Sequence, residues 1–170
     1  MDYNLIYYGS ALLKEAAQEV ADIDDNIADI IDSMFKVMYK ANGIGLAAPQ
    51  IGLSSRIIVI DTKEDDSSPI AIINPVIKQK SDTLAAYEEG CLSLPGITSD
   101  VIRPERILVS GLDPNGKEIE IEAEGLLARV LQHEIDHLDG ILFIDYIEQH
   151  IRNELRTELK KIKKMNKADT

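Results

Sequence analysis

Apolar residues recur with a helical period towards both ends of the chain and with a strand period in its middle. Ile27, Ile30, Ile31, Met34 and Met38 form a stripe down one face of a helix. Asp24, Asp25 and Asn26 precede it as candidate caps, and Asn42-Gly43 ends it. A shorter stripe of Leu13, Ala16, Ala17 and Val20 follows Ser10 and predicts a first helix capped by that serine. The period then changes. Arg56–Asp61 (RIIVID) and Ile70–Ile77 (IAIINPVI) are β-branched runs bounded by turn residues, which predicts strands. In ERILVSGLDPNGKEIEIEAEG, Ile107 and Val109 alternate on one arm and Ile119 and Ile121 on the other. Asp113-Pro114-Asn115-Gly116 between them predicts the turn of a hairpin. A helix is expected to open near Gly125. Leu127, Leu131, Ile135 and Leu138 mark its core face; Leu126, Val130, His133 and His137 mark the opposite one, with Arg129 at the edge. A final amphipathic, basic helix is predicted over 145–167, and Lys63–Pro69 (KEDDSSP) is an exposed loop.

Helices at the ends with strands between them, and little βαβ alternation, give an α+β class. The expected architecture is small antiparallel β-sheets packed around a central helix, with N-terminal helices and a C-terminal helix. Residues 1–170 are expected to form one domain. The apolar share, 45%, allows a core without cross-links, and the single cysteine excludes an intramolecular disulfide. No basic segment precedes an apolar run at the N-terminus, and no apolar stretch approaches the ~20 residues of a membrane span. The expectation is a cytoplasmic protein with no membrane partner.

Charge is unevenly placed. Residues 1–147 hold 11 Lys/Arg against 26 Asp/Glu, whereas residues 148–170 hold 7 against 4. The acidic body should repel a nucleic-acid backbone, which argues against DNA as a partner. The basic tail is either a solvated helix face or a contact for phosphates.

Gln132–Phe143 (QHEIDHLDGILF) carries the most specific chemistry. His133 and His137 lie four apart, one above the other on a helix, with Glu134 between them. This HExxH spacing is that of zinc hydrolases in which the Glu works on a metal-bound water. Such sites take three protein ligands, yet Phe143 stands where a third His falls in the pattern HExxHxxGxxH. Cys91, in EEGCLSLPG, is the alternative with strong metal affinity, although a lone cysteine is more often a small buried hydrophobe. Gly90 before it is expected to permit a tight turn. His150, Glu154 and Glu158 are poorer candidates, set in the charged tail. Gly43-x-Gly45-x-x-Ala48 formally matches a dinucleotide fingerprint, but a helical stretch precedes it and Pro49 interrupts the helix that should follow. Its glycines fit better as places where backbone passes close to a ligand or a strand.

GIGLAAPQ, EEGCLS and QHEIDH occur in that order, and together they resemble the three motifs of the bacterial peptide deformylase family, GxGxAAxQ, EGCLS and HExDH. The likeness extends over nearly the whole chain. It implies that Cys91, His133 and His137 hold one divalent metal with a water in the fourth position. Iron(II) is the ion of such enzymes, and zinc, nickel or cobalt can substitute. Two neutral imidazoles and one thiolate leave a net +1 site, still a Lewis acid. The implied reaction is hydrolysis of the N-formyl group of formylmethionyl nascent peptides, releasing formate. In it the metal-bound water attacks the formyl carbon, with Glu134 as general base and then acid. By the same likeness, Gln50 and the backbone N–H of Leu92 donate to the formyl oxygen. Backbone at Ile44, Gly45 and Gly90 binds the extended peptide. Ile44, Leu126, Val130 and the His133 ring line a methionine pocket, with Arg129 at its rim. The C-terminal helix implies a ribosome contact, for which Arg152, Arg156, Lys160, Lys163 and Lys164 are candidates. Two rival assignments remain: a zinc endopeptidase, and a deformylase-shaped protein without activity that binds peptides or ribosomes.

Overall fold

The structure, a computed structural model, describes residues 2–168. A five-stranded antiparallel sheet organises it, in the order β1-β2-β3-β6-β7, from Gly45–Ala47, Ile57–Ile60, Ile70–Lys80, Arg106–Leu112 and Glu118–Glu124. A separate two-stranded hairpin pairs β4 (Leu84–Cys91) with β5 (Leu94–Pro104).

β2 reads IIVI without alternation because both of its faces are covered. Ile58 and Ile60 point into a core shared with α2 (Gly125–Leu138), against Leu131, Ile135 and Leu138. Ile57 and Val59 point the other way, onto Ile30, Ile31, Met34 and Met38 of α1 (Asp25–Lys40). The sheet is thus held between two helices whose apolar stripes were legible. Asp24 caps α1 as expected, its carboxylate accepting from Ile27 N–H at 3.1 Å. The β6–β7 turn also forms as expected. Asp113 Oδ1 accepts from Asn115 and Lys117 N–H, and Gly116 takes φ +84°.

A third core joins Leu94, Ile97 and Val101 of β5 to Leu142, Phe143 and Ile144. Phe143, the residue at the absent third histidine, is 1% exposed and packs its ring 6.1 Å from that of His133.

Two predicted helices differ. After Ser10 the chain makes only a 3₁₀ turn, Ala11–Lys14, and Ser10 makes no side-chain cap. Beyond it the backbone bonds to other segments: Ala17 N–H to Leu138 O, Arg56 N–H to Gln18 O, and Asn74 to both polar groups of Val20. These tertiary bonds outweigh a weak local preference. The final helix is divided. Phe143–Tyr146 is a 3₁₀ turn, α3 covers Gln149–Glu154, and α4 covers Arg156–Ala168. The break at Leu155 lets Leu159 and Ile162 of α4 reach the third core, whereas α3 buries no residue. Gly90 forms no turn; it lies within β4, paired with Thr98. Among the described residues, no helix is long and apolar enough to cross a membrane.

Candidate active site

α2 and the β4–β5 hairpin face each other across a cleft of about 700 Å³. Its lining includes Ile44, Gly45, Gln50, Gly90, Cys91 and Leu92, and Leu126, Val130, His133 and Glu134 of α2. Every candidate site residue except His137 therefore borders one cavity, and His137 lies one helical turn behind His133.

Three donor atoms converge there. His133 Nε2 and His137 Nε2 are 3.3 Å apart, and Cys91 Sγ lies 3.4 Å from His137 Nε2. All three lie within 4.8 Å of one another. Ligands held at roughly 2.0–2.3 Å from one tetrahedral centre stand about 3.3–3.7 Å apart, so the set fits a small divalent cation. His150, Glu154 and Glu158 have no part in this cluster.

Behind the triad sits a buried charge network. Glu89, two residues before Cys91 and on the same face of β4, accepts from His133 Nδ1 at 2.9 Å. That bond leaves Nε2 of His133 free to ligate. Arg103 holds the same carboxylate with two nitrogens, at 2.6 and 3.0 Å, and reaches Asp136 at 2.8 Å. Arg129 adds a bond to Glu89 at 2.7 Å and others to Val101 O and Ala85 O, each at 2.8 Å. Burial alone pushes the Glu89 carboxyl up, but the bonds from His133, Arg103 and Arg129 hold it well below the usual carboxylate range. Arg129 was expected at a pocket rim; it is instead 6% exposed, its charge spent on Glu89 and two carbonyls. Tyr87 covers it, the ring centroid 5.4 Å from the guanidinium carbon.

Glu134 lies opposite Gly45. A Cβ on Gly45 would stand 2.6 Å from Glu134 Oε2 and 2.7 Å from Val130 Cγ1, so the glycine is the space in which the carboxylate fits. Burial pushes the Glu134 carboxyl up to about 7. Among the described residues, the buried side-chain polar atoms without a hydrogen-bond partner are Glu134 Oε1 and His137 Nδ1, both at this site. Burial disfavours protonation of both imidazoles. It prevails at His137, held well below its ordinary value, whereas Cys91 and Glu89 raise His133 well above.

The Gln50 amide is fixed in orientation. Its Oε1 accepts from Ala47 N–H at 2.9 Å, which turns Nε2 towards Ser93 Oγ (3.2 Å) and Cys91 Sγ (3.5 Å). The NH₂ group is thus a donor aimed at the Cys91 side of the cleft.

This arrangement matches a known family. The polypeptide deformylase family model matches residues 3–153. The chain belongs to the polypeptide deformylase family. It is 53% identical over 155 residues to the peptide deformylase of Thermodesulfovibrio yellowstonii, covering 90% of this chain and 93% of that one. Among solved deformylases, that of Legionella pneumophila superposes with a TM-score of 0.90 at 42% identity, covering 97% of each chain. That of Synechococcus elongatus, in complex with actinonin, superposes at 0.86 with 45% identity, covering 94% of this chain and 86% of that one. These relatives are enzymes, and the chain is a metal-dependent hydrolase of their family.

Glu89, Arg103 and Ser93 were not singled out from sequence, and Arg129 was placed at the pocket rim rather than in a buried charge network. The available signal was the strand period, which places Glu89 with Cys91 and Arg103 with Val101 on inward faces.

Proposed function

We propose that the chain removes the N-formyl group from formylmethionyl nascent peptides by hydrolysis, releasing formate and a free amino terminus. The observation that carries this reading is Glu134, a buried carboxylate beside a Cys91–His133–His137 donor set on the wall of a peptide-sized cleft. Cys91, His133 and His137 would hold one divalent metal. We assign iron(II), with zinc, nickel or cobalt able to take the same mixed thiolate and imidazole donors. When bound, the metal supplies a Lewis acid that raises the acidity of water and polarises a carbonyl.

The protein's own groups carry the rest. Glu134 takes the proton of the attacking water and delivers it to the departing amine, one carboxylate serving as base and then acid. Gln50 Nε2 and the Leu92 N–H donate to the formyl oxygen as it gains negative charge, each such donor worth roughly 10²–10³ in rate. Backbone at Ile44, Gly45 and Gly90 pairs with the peptide in extended form, as an added strand does. Ile44, Leu126, Val130 and the His133 ring receive the methionine side chain. The Arg129 guanidinium, turned to Glu89, leaves that pocket without a free charge. Residues 1–170 act in this reading as one catalytic domain in the cytoplasm, and the cations of α3 and α4 meet ribosomal RNA phosphates. Actinonin, bound by the Synechococcus elongatus relative, is expected to occupy this cleft and compete with the peptide.

Formate release from formyl-Met-Ala-Ser tests the proposal, with Glu134→Ala in parallel at equal metal content. Rapid release by the parent and a loss of about 10²-fold or more in the variant are expected. Cleavage of internal bonds in casein without formate release would make the protein an endopeptidase instead.

A further inference from the structure

The 3₁₀ turn after α2, Phe143–Tyr146, touches the site at two points. Asp145 fixes the turn, its carboxylate accepting from Leu142 N–H at 2.9 Å and from Lys14 Nζ at 3.0 Å. Side chains three apart in a 3₁₀ helix eclipse one another, so Phe143 and Tyr146 leave the turn on one side. Phe143 goes to the His133 ring. Tyr146 goes to Arg103, its ring centroid 5.0 Å from the guanidinium carbon.

The Tyr146 hydroxyl adds a second hold on the same group. It donates to Asp136 Oδ2 at 2.8 Å, and that oxygen also accepts from Arg103 Nη1 at 2.8 Å. Burial and the Asp136 carboxylate push the hydroxyl up to about 12, so it stays a donor at neutral pH. Arg103 gives its other two nitrogens to Glu89, which leaves the guanidinium fixed along both edges. A series of hydrogen bonds between 2.6 and 2.9 Å therefore runs from Tyr146 through Asp136, Arg103 and Glu89 to His133. Tyr146, 51% exposed, is its outermost member, whereas Arg103 is 5% exposed and Glu89 4%. A half-exposed tyrosine needs no explanation by itself. What distinguishes Tyr146 is that its ring and its hydroxyl both serve one buried ion pair. It does not line the cleft, so any effect on the reaction passes through that pair.

We propose that Tyr146 is a positioning residue: its ring and hydroxyl hold Arg103 against Glu89, and Glu89 so held keeps His133 Nε2 turned into the Cys91–His133–His137 cluster. Without the ring, water reaches the guanidinium and competes for its bonds; without the hydroxyl, Asp136 loses the donor that sets its Oδ2 against Arg103. The inference rests on the deformylase reading for its rate readout alone.

The test uses the full-length protein loaded with cobalt(II), whose visible spectrum reports the arrangement of its ligands. Tyr146→Phe removes the hydroxyl and keeps the ring; Tyr146→Ala removes both. Competition with a chelator is expected to show cobalt held about threefold more weakly in Tyr146→Phe and about tenfold more weakly in Tyr146→Ala. These losses lie at or below the 10–100-fold typical of removing a ligand's direct partner. The visible bands shift in both variants. At full loading, kcat for formyl-Met-Ala-Ser falls while KM keeps its parental value. Placed in Glu89→Gln, Tyr146→Ala has no further effect on cobalt affinity or spectrum, because the series is already cut at Glu89. Tyr146→Phe, which loses one oxygen from a half-exposed side chain, carries the test should Tyr146→Ala not fold. Parental cobalt affinity and spectrum in either folded variant overturn the proposal, whatever the loss in urea stability, as does an undiminished effect in the Glu89→Gln background. The expected cobalt effects in a protein that releases no formate refute the deformylase reading and leave the positioning role standing. Formate release with parental cobalt binding in the variants refutes the positioning role alone.

Discussion

Glu89 accepts hydrogen bonds from His133, Arg103 and Arg129, so one carboxylate both orients an imidazole of the candidate metal cluster and balances two buried guanidinium groups. Glu89→Gln removes that charge while keeping the shape. A metal ligand that loses such support typically loses about 10–100-fold in affinity. Breaking a buried ion pair costs about 3–5 kcal/mol. We expect both effects, read by competition with a chelator and by urea unfolding; unchanged metal affinity would show that Glu89 is structural only. His133, Glu134 and His137 were legible from spacing, because a helix brings residues four apart together without help from the rest of the fold, whereas Cys91, on β4, was assigned through the resemblance of its motif. Their supporting charges were not legible. Arg129, expected at the pocket rim from its place at the edge of the α2 stripe, is buried because its partner Glu89 sits on a strand 40 residues away in sequence, out of reach of helical spacing.

The second strip of the site, β4–β5, escaped the pattern of apolar positions for a related reason. Its inward face carries Glu89, Cys91 and Arg103 where an ordinary strand carries Val or Ile, so the two-residue period is disguised by function. By contrast, α1, α2 and the β6–β7 hairpin were legible because their inward faces are plain aliphatic stripes. The short strand β1 is the opposite extreme, three buried residues with no periodic signal, yet it sets the distance between backbone and Glu134. Gly45→Ala is therefore expected to lower kcat by at least tenfold while leaving metal content at one per chain, since the new methyl displaces the carboxylate rather than the ligands. Full activity in that variant would mean that Glu134 has room the structure does not show.

At the scale of the whole molecule, the chain separates an acidic body carrying the site from a basic end carrying α4. Arg152 lies 3.9 Å from Asp145 and Lys163 lies over the Tyr8 ring, so part of the basic end is engaged within the protein. If the remaining cations meet ribosomal RNA, binding to ribosomes should weaken steeply with salt, by counterion release, and fall further in Arg156→Ala/Lys160→Ala/Lys164→Ala. Ribosome sedimentation at rising salt measures this, and binding indifferent to both would exclude a phosphate contact. The central claim is that one metal, held by Cys91, His133 and His137, serves the carboxylate of Glu134 in cleaving the formyl group. It is tested most directly by adding iron(II) or nickel, without oxygen, to metal-free protein while following formate release from formyl-Met-Ala-Ser. The account predicts that release rises in proportion to bound metal and stops at one equivalent, and that Glu134→Ala takes up the same equivalent without turnover. Release that persists in the stripped protein, or a fully loaded parent that releases no formate, would contradict it.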